Sequence, residues 1–432
     1  MDRETISRRS FLRGATAAVA APCAITSSAL GSKDRPPASE RINMGWIGVG
    51  GQGTRLLAGG VWAPKGGFIS RGQVQVRAVC DVDQHRANNA RDIVNKTYGN
   101  KDCDTYQDFR KLLARDDIDA VAIATGERWH PLLTVAAAKA GKDIYCEKPA
   151  SLTIEEVKAM HRAVRRYGRV FQMGTQQRSS RAFRHACELV RNGYIGEVKT
   201  VVVGVGGPPG QDYCYLPAQP VPDYLDYDMW LGPIPWRPYN EEFVHGWMAY
   251  RTCSGGGMTN WGAHHFDIAQ WGLGMDDSGP VEIIPPDGKD YPVLTYRYAN
   301  GATVVRDPER LQREAGPSNG VMFVGTEGKV AVWRYEMRTW PRKLREVTIG
   351  PDETRLYRSP NHYNNLLTCI RTRRRTVSDI AVGRRSISLC HLGNIACWLD
   401  RPLQWNPEKE RFVDDPQADR MLYREMRSPW HI

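Results

Sequence analysis

The stretch INMGWIGVGGQGTRLL, Ile42 to Leu57, decides the fold. An apolar run ends in Gly48, Gly50 and Gly53 at G-x-G-x-x-G spacing, and a helix-like segment follows. Glycines there permit a tight turn and close backbone approach, while the first N–H groups of the helix are left to receive a pyrophosphate. Gln52 lies inside the same loop and belongs to the same cofactor site. The motif alone is weak. Here it has the required strand–turn–helix order, and QVQVRAVCDVD (Gln73 to Asp83) supplies a second strand ending in Asp81. A carboxylate at that strand end accepts ribose hydroxyls and repels a 2′-phosphate, which points to NAD in preference to NADP. The interval from Gly53 to Asp81 exceeds the usual roughly 20 residues, and the insert GGVWAPKGGFISRG accounts for the excess. Arg86 is the cation that works against the NAD assignment.

Outward from this motif, strand and helix patterns alternate. ANNARDIVNKTYG and TYQDFRKLLARDD have helical character, IDAVAIAT and KDIYCEK are strand-like, and HPLLTVAAAKAG is a further helix. TIEEVKAMHRAVRRYG opens behind a Ser151 or Thr153 cap, and RVFQMG closes the series. Such alternation predicts an α/β Rossmann domain, a doubly wound parallel sheet, over residues 39–175. Beyond Gly174 the texture changes. GEVKTVVVGVGG, VEIIP, YPVLTYRYANGATVVR, VMFVGTEGKVAVWR and LREVTIG read as longer strands, with ANG and TEG as hairpin turns. Residues 176–432 are therefore expected to form an α+β domain with a large, mainly antiparallel open sheet. The Pro- and Tyr-rich stretch from Pro208 to Tyr239 reads as an arm on the substrate side.

The chain of 432 residues has room for two cores, and 41% hydrophobic and 25% charged residues suit a globular protein. The net charge of +11 is scattered, apart from RTRRR at Arg371–Arg375, which reads as a solvated face; no stripe for nucleic acid is visible. The ten cysteines show no CxxC, and Cys80, Cys146, Cys390 and Cys397 read as small core residues. Residues 1–38 read as an address and linker. SRRSFLRG (Ser7 to Gly14) resembles a twin-arginine export signal, followed by an Ala-rich run interrupted by Pro22, too weakly apolar to span a membrane. The expected location is periplasmic or otherwise exported, with no membrane segment once the signal is removed.

Two further stretches carry chemistry. CEKPASLT (Cys146 to Thr153) places Lys148 at the carboxyl end of a sheet strand, where open α/β sheets bind ligands, and Glu147 beside it can hold the ammonium. Partial burial there lowers a lysine pKa towards the range of a general base. GGGMTNWGAHHFDIAQW (Gly255 to Trp271) offers two adjacent histidines with Asn260 and Asp267 nearby. His264 and Asp267 share a helix face, but no third ligand has a telling spacing, so no metal is expected.

In this order, GxGxxG, AVCDVD, ATGERWH (Ala124 to His130), CEKP and GGGMTNWGAHHFDIAQW resemble the Gfo/Idh/MocA oxidoreductases. The resemblance runs from about residue 41 to the end. It implies a nicotinamide-binding first domain and a second domain whose sheet faces substrate and makes a homodimer or homotetramer. By motif position it makes Lys148 the catalytic lysine, accompanied by Glu147, and puts Thr125 and His130 in the loop lining the nicotinamide. Gly126 stands where many members have proline, which implies a more flexible loop. Gln176 and Arg178 of MGTQQRSS are expected to face substrate. His264 matches the catalytic histidine, and Asn260 stands where many members carry aspartate, which implies a weaker histidine base.

The implied activity is oxidation or reduction of a sugar, sugar derivative or cyclitol with tightly bound NAD(H), because an exported enzyme has to regenerate its cofactor in place. A redox-neutral, NAD-dependent glycoside hydrolase is the alternative. A non-catalytic protein binding NAD and carbohydrate is the second alternative.

Overall fold

The computed structural model describes residues 31–32, 35–61, 63, 65–210 and 215–432. The twin-arginine stretch lies outside them. Six parallel strands come first: β1 (Ile42–Ile47), β2 (Val74–Cys80), β3 (Asp104–Tyr106), β4 (Ala120–Ile123), β5 (Asp143–Cys146) and β6 (Phe171–Met173). Their order is β3–β2–β1–β4–β5–β6, the doubly wound arrangement. The central strands are apolar apart from Asn43 near the start of β1, because helices cover both faces. Those helices are α1 (Gly51–Ala58), α2 (Gln84–Tyr98), α3 (Phe109–Leu113), α4 (His130–Lys139) and α5 (Ile154–Arg166). Local chemistry sets their starts. Asp83 accepts from the Arg86 N–H at the head of α2, and Thr153 with Glu156 forms a reciprocal capping box on α5. TYQDFRKLLARDD, expected to be one helix, splits instead. Thr105 and Tyr106 pair with β2, and Asp108 then caps the short α3.

The second sheet has nine strands, in the order β13–β12–β11–β7–β10–β9–β8–β14–β15. They are β7 (Val198–Gly204), β8 (Glu282–Ile284), β9 (Thr295–Arg297), β10 (Thr303–Arg306), β11 (Gly320–Gly325), β12 (Lys329–Trp333), β13 (Glu336–Trp340), β14 (Leu403–Asn406) and β15 (Arg411–Phe412). β7 and β10 run parallel, and the other neighbours are antiparallel. The ANG and TEG turns join β9 to β10 and β11 to β12 as expected. LREVTIG does not form a strand; it begins as a 3₁₀ turn over Arg342–Glu346 that buries Leu344.

Helices α6 (Arg181–Arg191), α7 (Tyr227–Leu231), α8 (Glu241–His245), α9 (Gly256–Asn260), α10 (Gly262–Leu273), α11 (Pro308–Ala315), α12 (His362–Thr372) and α13 (Ile380–Leu399) complete the elements used below. α10 is buried along nearly its whole length, between α6, α13 and the sheet. α12 crosses back to the first domain, where Tyr363, Leu366 and Leu367 join its core. Arg373, within the arginine run read as a solvated face, pairs with Asp143 at the start of β5. Cys80, Cys146 and Cys390 are buried in the main apolar core, and Cys397 packs half-buried against it.

Arg178 requires a correction. Expected to face substrate, it is buried, and its Nε donates to Asp267 at 2.8 Å while Nη2 donates to Asp276 at 2.6 Å. Ser386 on α13 donates to the same Asp267 carboxylate at 2.6 Å. Arg178 therefore ties the chain after β6 to α10, and Asp267 is spent on that tie. Removing one partner strands a buried charge. Arg178→Met is expected to lower stability by about 3–5 kcal/mol, read as a fall in the urea midpoint. A loss below about 0.5 kcal/mol, typical of a surface substitution, would show that the pair does not hold the layers together.

Candidate active site

The glycine loop is built for close approach. Gly48 has φ +88°, and a Cβ there would stand 2.6 Å from the Ala124 carbonyl oxygen. A Cβ on Gly53 would stand 2.1 Å from the Gly48 oxygen, so α1 packs on the turn only with glycine. At Gly51 a Cβ would meet nothing within 4 Å. The loop thus packs tightly behind and is open in front, over a cleft of about 290 Å³. Asp81 lines that cleft, its carboxylate fixed by the N–H groups of Val49 at 2.8 Å and Asp83 at 3.0 Å. Arg86 reaches the cleft too but is engaged by Asp83 at 3.2 Å. An open cradle at a helix N-terminus with a fixed carboxylate at the neighbouring strand end fits a dinucleotide.

The arm after β7 covers this cleft. The Tyr224 carbonyl accepts from the Gln84 N–H at 2.9 Å, Asp226 N–H donates to Val82 at 3.0 Å, and the Tyr224 ring stacks on His85. Across the cleft, Arg128 and Trp129 donate to the carbonyls of Trp230 and Met229 at 2.7 and 3.1 Å. Met229, Trp230 and Trp247 line the cleft as its roof. Gly126 acquires a reason other than flexibility: a Cβ there would stand 2.5 Å from the Arg128 guanidinium, which lies over the Trp230 ring.

A second cavity of about 430 Å³ adjoins the cleft, the two sharing Gln52, Ala124, Thr125 and Trp247. Lys148, Glu147, Gln176, Asn260 and His264 all line it. Lys148 Nζ donates to the Asn260 side-chain oxygen at 2.5 Å and to its backbone oxygen at 3.1 Å. Burial lowers the Lys148 pKa, opposed by Glu147 and Glu127. A neutral amine has two N–H bonds and one lone pair, so Asn260 takes both donors and leaves the lone pair as a base. The hydrogen bonds of the Lys148 amino group go to Asn260 and not, as expected, to Glu147, which acts on it only through its charge. That carboxylate accepts from Tyr145 and Gln176, both at 3.1 Å, and from Gln52 at 3.5 Å.

His264 is neutral, its pKa pushed well below the usual range by burial and then by Lys148 and Arg334. Arg334 donates to its Nε2 at 3.1 Å, which puts the ring proton on Nδ1. His265 stands apart, its Nε2 bonded to Asn319 at 2.7 Å. His130 is buried between the Pro149 and Thr125 carbonyls, at 2.6 and 3.1 Å. It braces the two loops that carry Thr125 and Lys148 and does not line either cavity. Among the described residues, no group of three or more His, Cys, Asp and Glu is placed to hold a metal ion.

Two cavity residues went unmarked in the sequence. Glu127 is buried and accepts from the Gly255 N–H at 2.9 Å and from Thr259 at 3.4 Å; burial raises its pKa to about 7. It sits inside the quoted ATGERWH, so its position in the loop between β4 and α4 was the available signal. Arg334, at the turn between β12 and β13, carried none.

With this geometry in place, the comparisons are specific. The NAD-binding Rossmann-fold model of an oxidoreductase family matches residues 42–175, and the family's C-terminal alpha/beta-domain model matches residues 189–432. The chain belongs to the Gfo/Idh/MocA oxidoreductase family. Similar curated proteins include myo-inositol 2-dehydrogenase of Thermotoga maritima, 26% identical over 56% of this chain and 62% of that one. Another is a glycosyl hydrolase family 109 protein of Shewanella sp. strain MR-4, 29% identical over 45% of this chain and 44% of that one. The chain therefore spans less than two thirds of the length of these relatives. Among solved structures, an aldose-aldose oxidoreductase from Caulobacter crescentus superposes with a TM-score of 0.56 at 20% identity, covering 84% of this chain and 99% of that one.

Within a Gfo/Idh/MocA site, Asn260 changes the electrostatics of Lys148 more than those of His264, because Nζ is its hydrogen-bond partner. Asn260→Asp would set an anion against the amine and raise its pKa. A base works only when deprotonated, so the acid limb of kcat/KM is expected to move to higher pH by roughly 1–3 units. An unmoved limb would show that Lys148 is not the titrating group.

Proposed function

We propose that this protein oxidises a hydroxyl group of a sugar, sugar derivative or cyclitol, using NAD(H) that stays bound through the cycle. The observation that carries the reading is the Lys148 amine, donating twice to Asn260 inside a cavity that opens onto the dinucleotide cleft. A bound nicotinamide would supply hydride transfer. Gly48, Gly50 and Gly53 would receive its phosphates, Asp81 its ribose, and Thr125 and Gln52 would stand between cofactor and substrate. Lys148 takes the proton from the hydroxyl as the hydride leaves its carbon. His264, fixed by Arg334, orients the substrate. The Asp81 carboxylate supports NAD over NADP. The pinned roof supports retention of the cofactor, in keeping with export through a twin-arginine route and with a homo-oligomer formed through the second sheet.

A redox-neutral glycoside hydrolase is the second reading, favoured by Glu127. Such a cycle oxidises a ring hydroxyl, removes the acidified neighbouring C–H, expels the glycosidic oxygen, adds water and reduces the ketone again. The leaving oxygen needs a proton, and a buried carboxyl with a pKa near 7 in the same cavity can supply one. The family 109 relative has a hydrolase name.

Purified protein is expected to retain nicotinamide absorbance after desalting and to reduce it on addition of a sugar or cyclitol. Lys148→Ala should abolish that reduction while leaving the cofactor bound. Cleavage of an aryl glycoside with no net NADH would replace the first reading by the second. Full turnover in Lys148→Ala would refute the site assignment.

A further inference from the structure

The substrate cavity holds a cation, Arg334, for which the proposed hydride transfer finds no role beyond fixing His264. Arg334 enters it from the turn between β12 and β13, with its guanidinium over the Trp261 ring at 4.8 Å and one amino group on His264. It is half-buried, and burial lowers its pKa.

A larger groove of about 840 Å³ begins one residue further on, at Tyr335. Its wall carries Arg181, Arg184, Arg345, Arg355 and Arg358. Of the acids in that wall, Glu188 is paired with Arg184 and Glu336 with Arg338, which leaves Glu346. Arg181, Arg345 and Arg358 are exposed and form no ion pair among the described residues. The groove is tied to the cavity on its other side as well. Gln176, in the cavity wall, opens the 3₁₀ turn that ends at Ser179, and Ser179 is bonded to Ser359 beside Arg358 at 2.8 Å.

We infer that the sugar is anionic: a uronate- or sulfate-bearing oligosaccharide whose reacting residue sits beside Arg334 and whose next residues run along the arginine groove. This rests on the reading of the cavity as a carbohydrate site. The planar guanidinium matches carboxylate or sulfate oxygens two at a time, and it gains most from such a partner where water is already partly excluded. Exposed cations along the approach, here Arg181, Arg345 and Arg358, raise the local concentration of an anionic ligand.

Calorimetric titration of the cofactor-loaded protein tests this without turnover. The probes are oligouronates built from galacturonate, mannuronate or glucuronate, sulfated carrageenan oligosaccharides, and neutral malto- and cello-oligosaccharides of equal length. At least one acidic class should bind about tenfold or more tighter than every neutral one, with affinity falling as salt rises. The uronate and carrageenan arms separate carboxylate from sulfate. Arg334→Gln should weaken the acidic trimer and its monomer alike, by roughly tenfold or more. The double variant Arg181→Ser/Arg358→Ser, outside the cavity, should weaken the trimer and leave the monomer unchanged. Neutral chains binding as tightly as acidic ones, or an acidic trimer indifferent to both variants, overturns the inference. If Arg334→Gln fails to fold, the groove variant decides alone. Tight acidic binding with no redox or glycosidase turnover would overturn the proposed function and leave this inference standing.

Discussion

The two hydrogen bonds from Lys148 to Asn260 join the carboxyl end of the parallel sheet to the helix layer of the second domain, and the cavity is arranged around them. Each end has its own support. Lys148 leaves β5 behind Glu147, whose N–H donates to Ile123 on β4 and whose carboxylate accepts the Lys148 N–H at 3.2 Å. Asn260 ends α9, and that short helix is set in place by close backbone contact. A Cβ on Gly257 would stand 2.7 Å from the Gly206 Cα, so only glycine lets the chain after β7 lie against it. Glu127 then fastens the Gly255 N–H from the opposite domain. The triple glycine of the motif is a packing device, and the asparagine at its end is where the packing becomes chemistry.

The doubly wound half was legible because its signals are local. Glycine spacing, an acidic strand end and capping residues each act within a few positions, and Gly48, Gly53, Asp81 and Thr153 occupy the places their chemistry dictates. The second domain was legible only where hairpins are local, at ANG and TEG. β14 and β15 owe their strand state to pairing at the far edge of a nine-stranded sheet, and LREVTIG, with a comparable pattern, finds no such partner. The substrate-facing set was harder still. Gln176 and Arg178 sit two residues apart, yet one lines the cavity and the other is drawn inwards by Asp267 and Asp276, acids distant in sequence. Both lie in one 3₁₀ turn, and its facing is fixed by tertiary contacts that no spacing rule contains.

The long arm after β7 shows the same limit in another way. Its prolines and aromatics exclude a regular element but do not say what it covers. The structure answers through backbone hydrogen bonds to Val82 and Gln84, which lie beside Asp81 at the end of β2. Residues that mark the cofactor site in sequence therefore also anchor its roof. Arg128 makes the second anchor, and its stacking on Trp230 requires the space that Gly126 leaves. A glycine in place of proline makes room for a side chain two residues away, Arg128, instead of loosening the loop.

The charges of the cavity close the argument. Burial moves its titratable groups towards one another: it raises Glu127 and Glu147 and lowers Lys148. An aspartate at position 260 would oppose that movement at Lys148 by stabilising the ammonium. Asparagine offers the same oxygen without the charge, so the amine keeps its hydrogen-bond geometry while desolvation sets its protonation. His264 is held neutral by the same burial and by two neighbouring cations, and its accepting nitrogen is occupied by Arg334. Lys148 is then the cavity group whose pKa is lowered and whose deprotonated form would keep its lone pair free of a donor. In the proposed reaction proton acceptance falls to the lysine, because Arg334 occupies the accepting nitrogen of His264 while Asn260 leaves the amine without an adjacent anion.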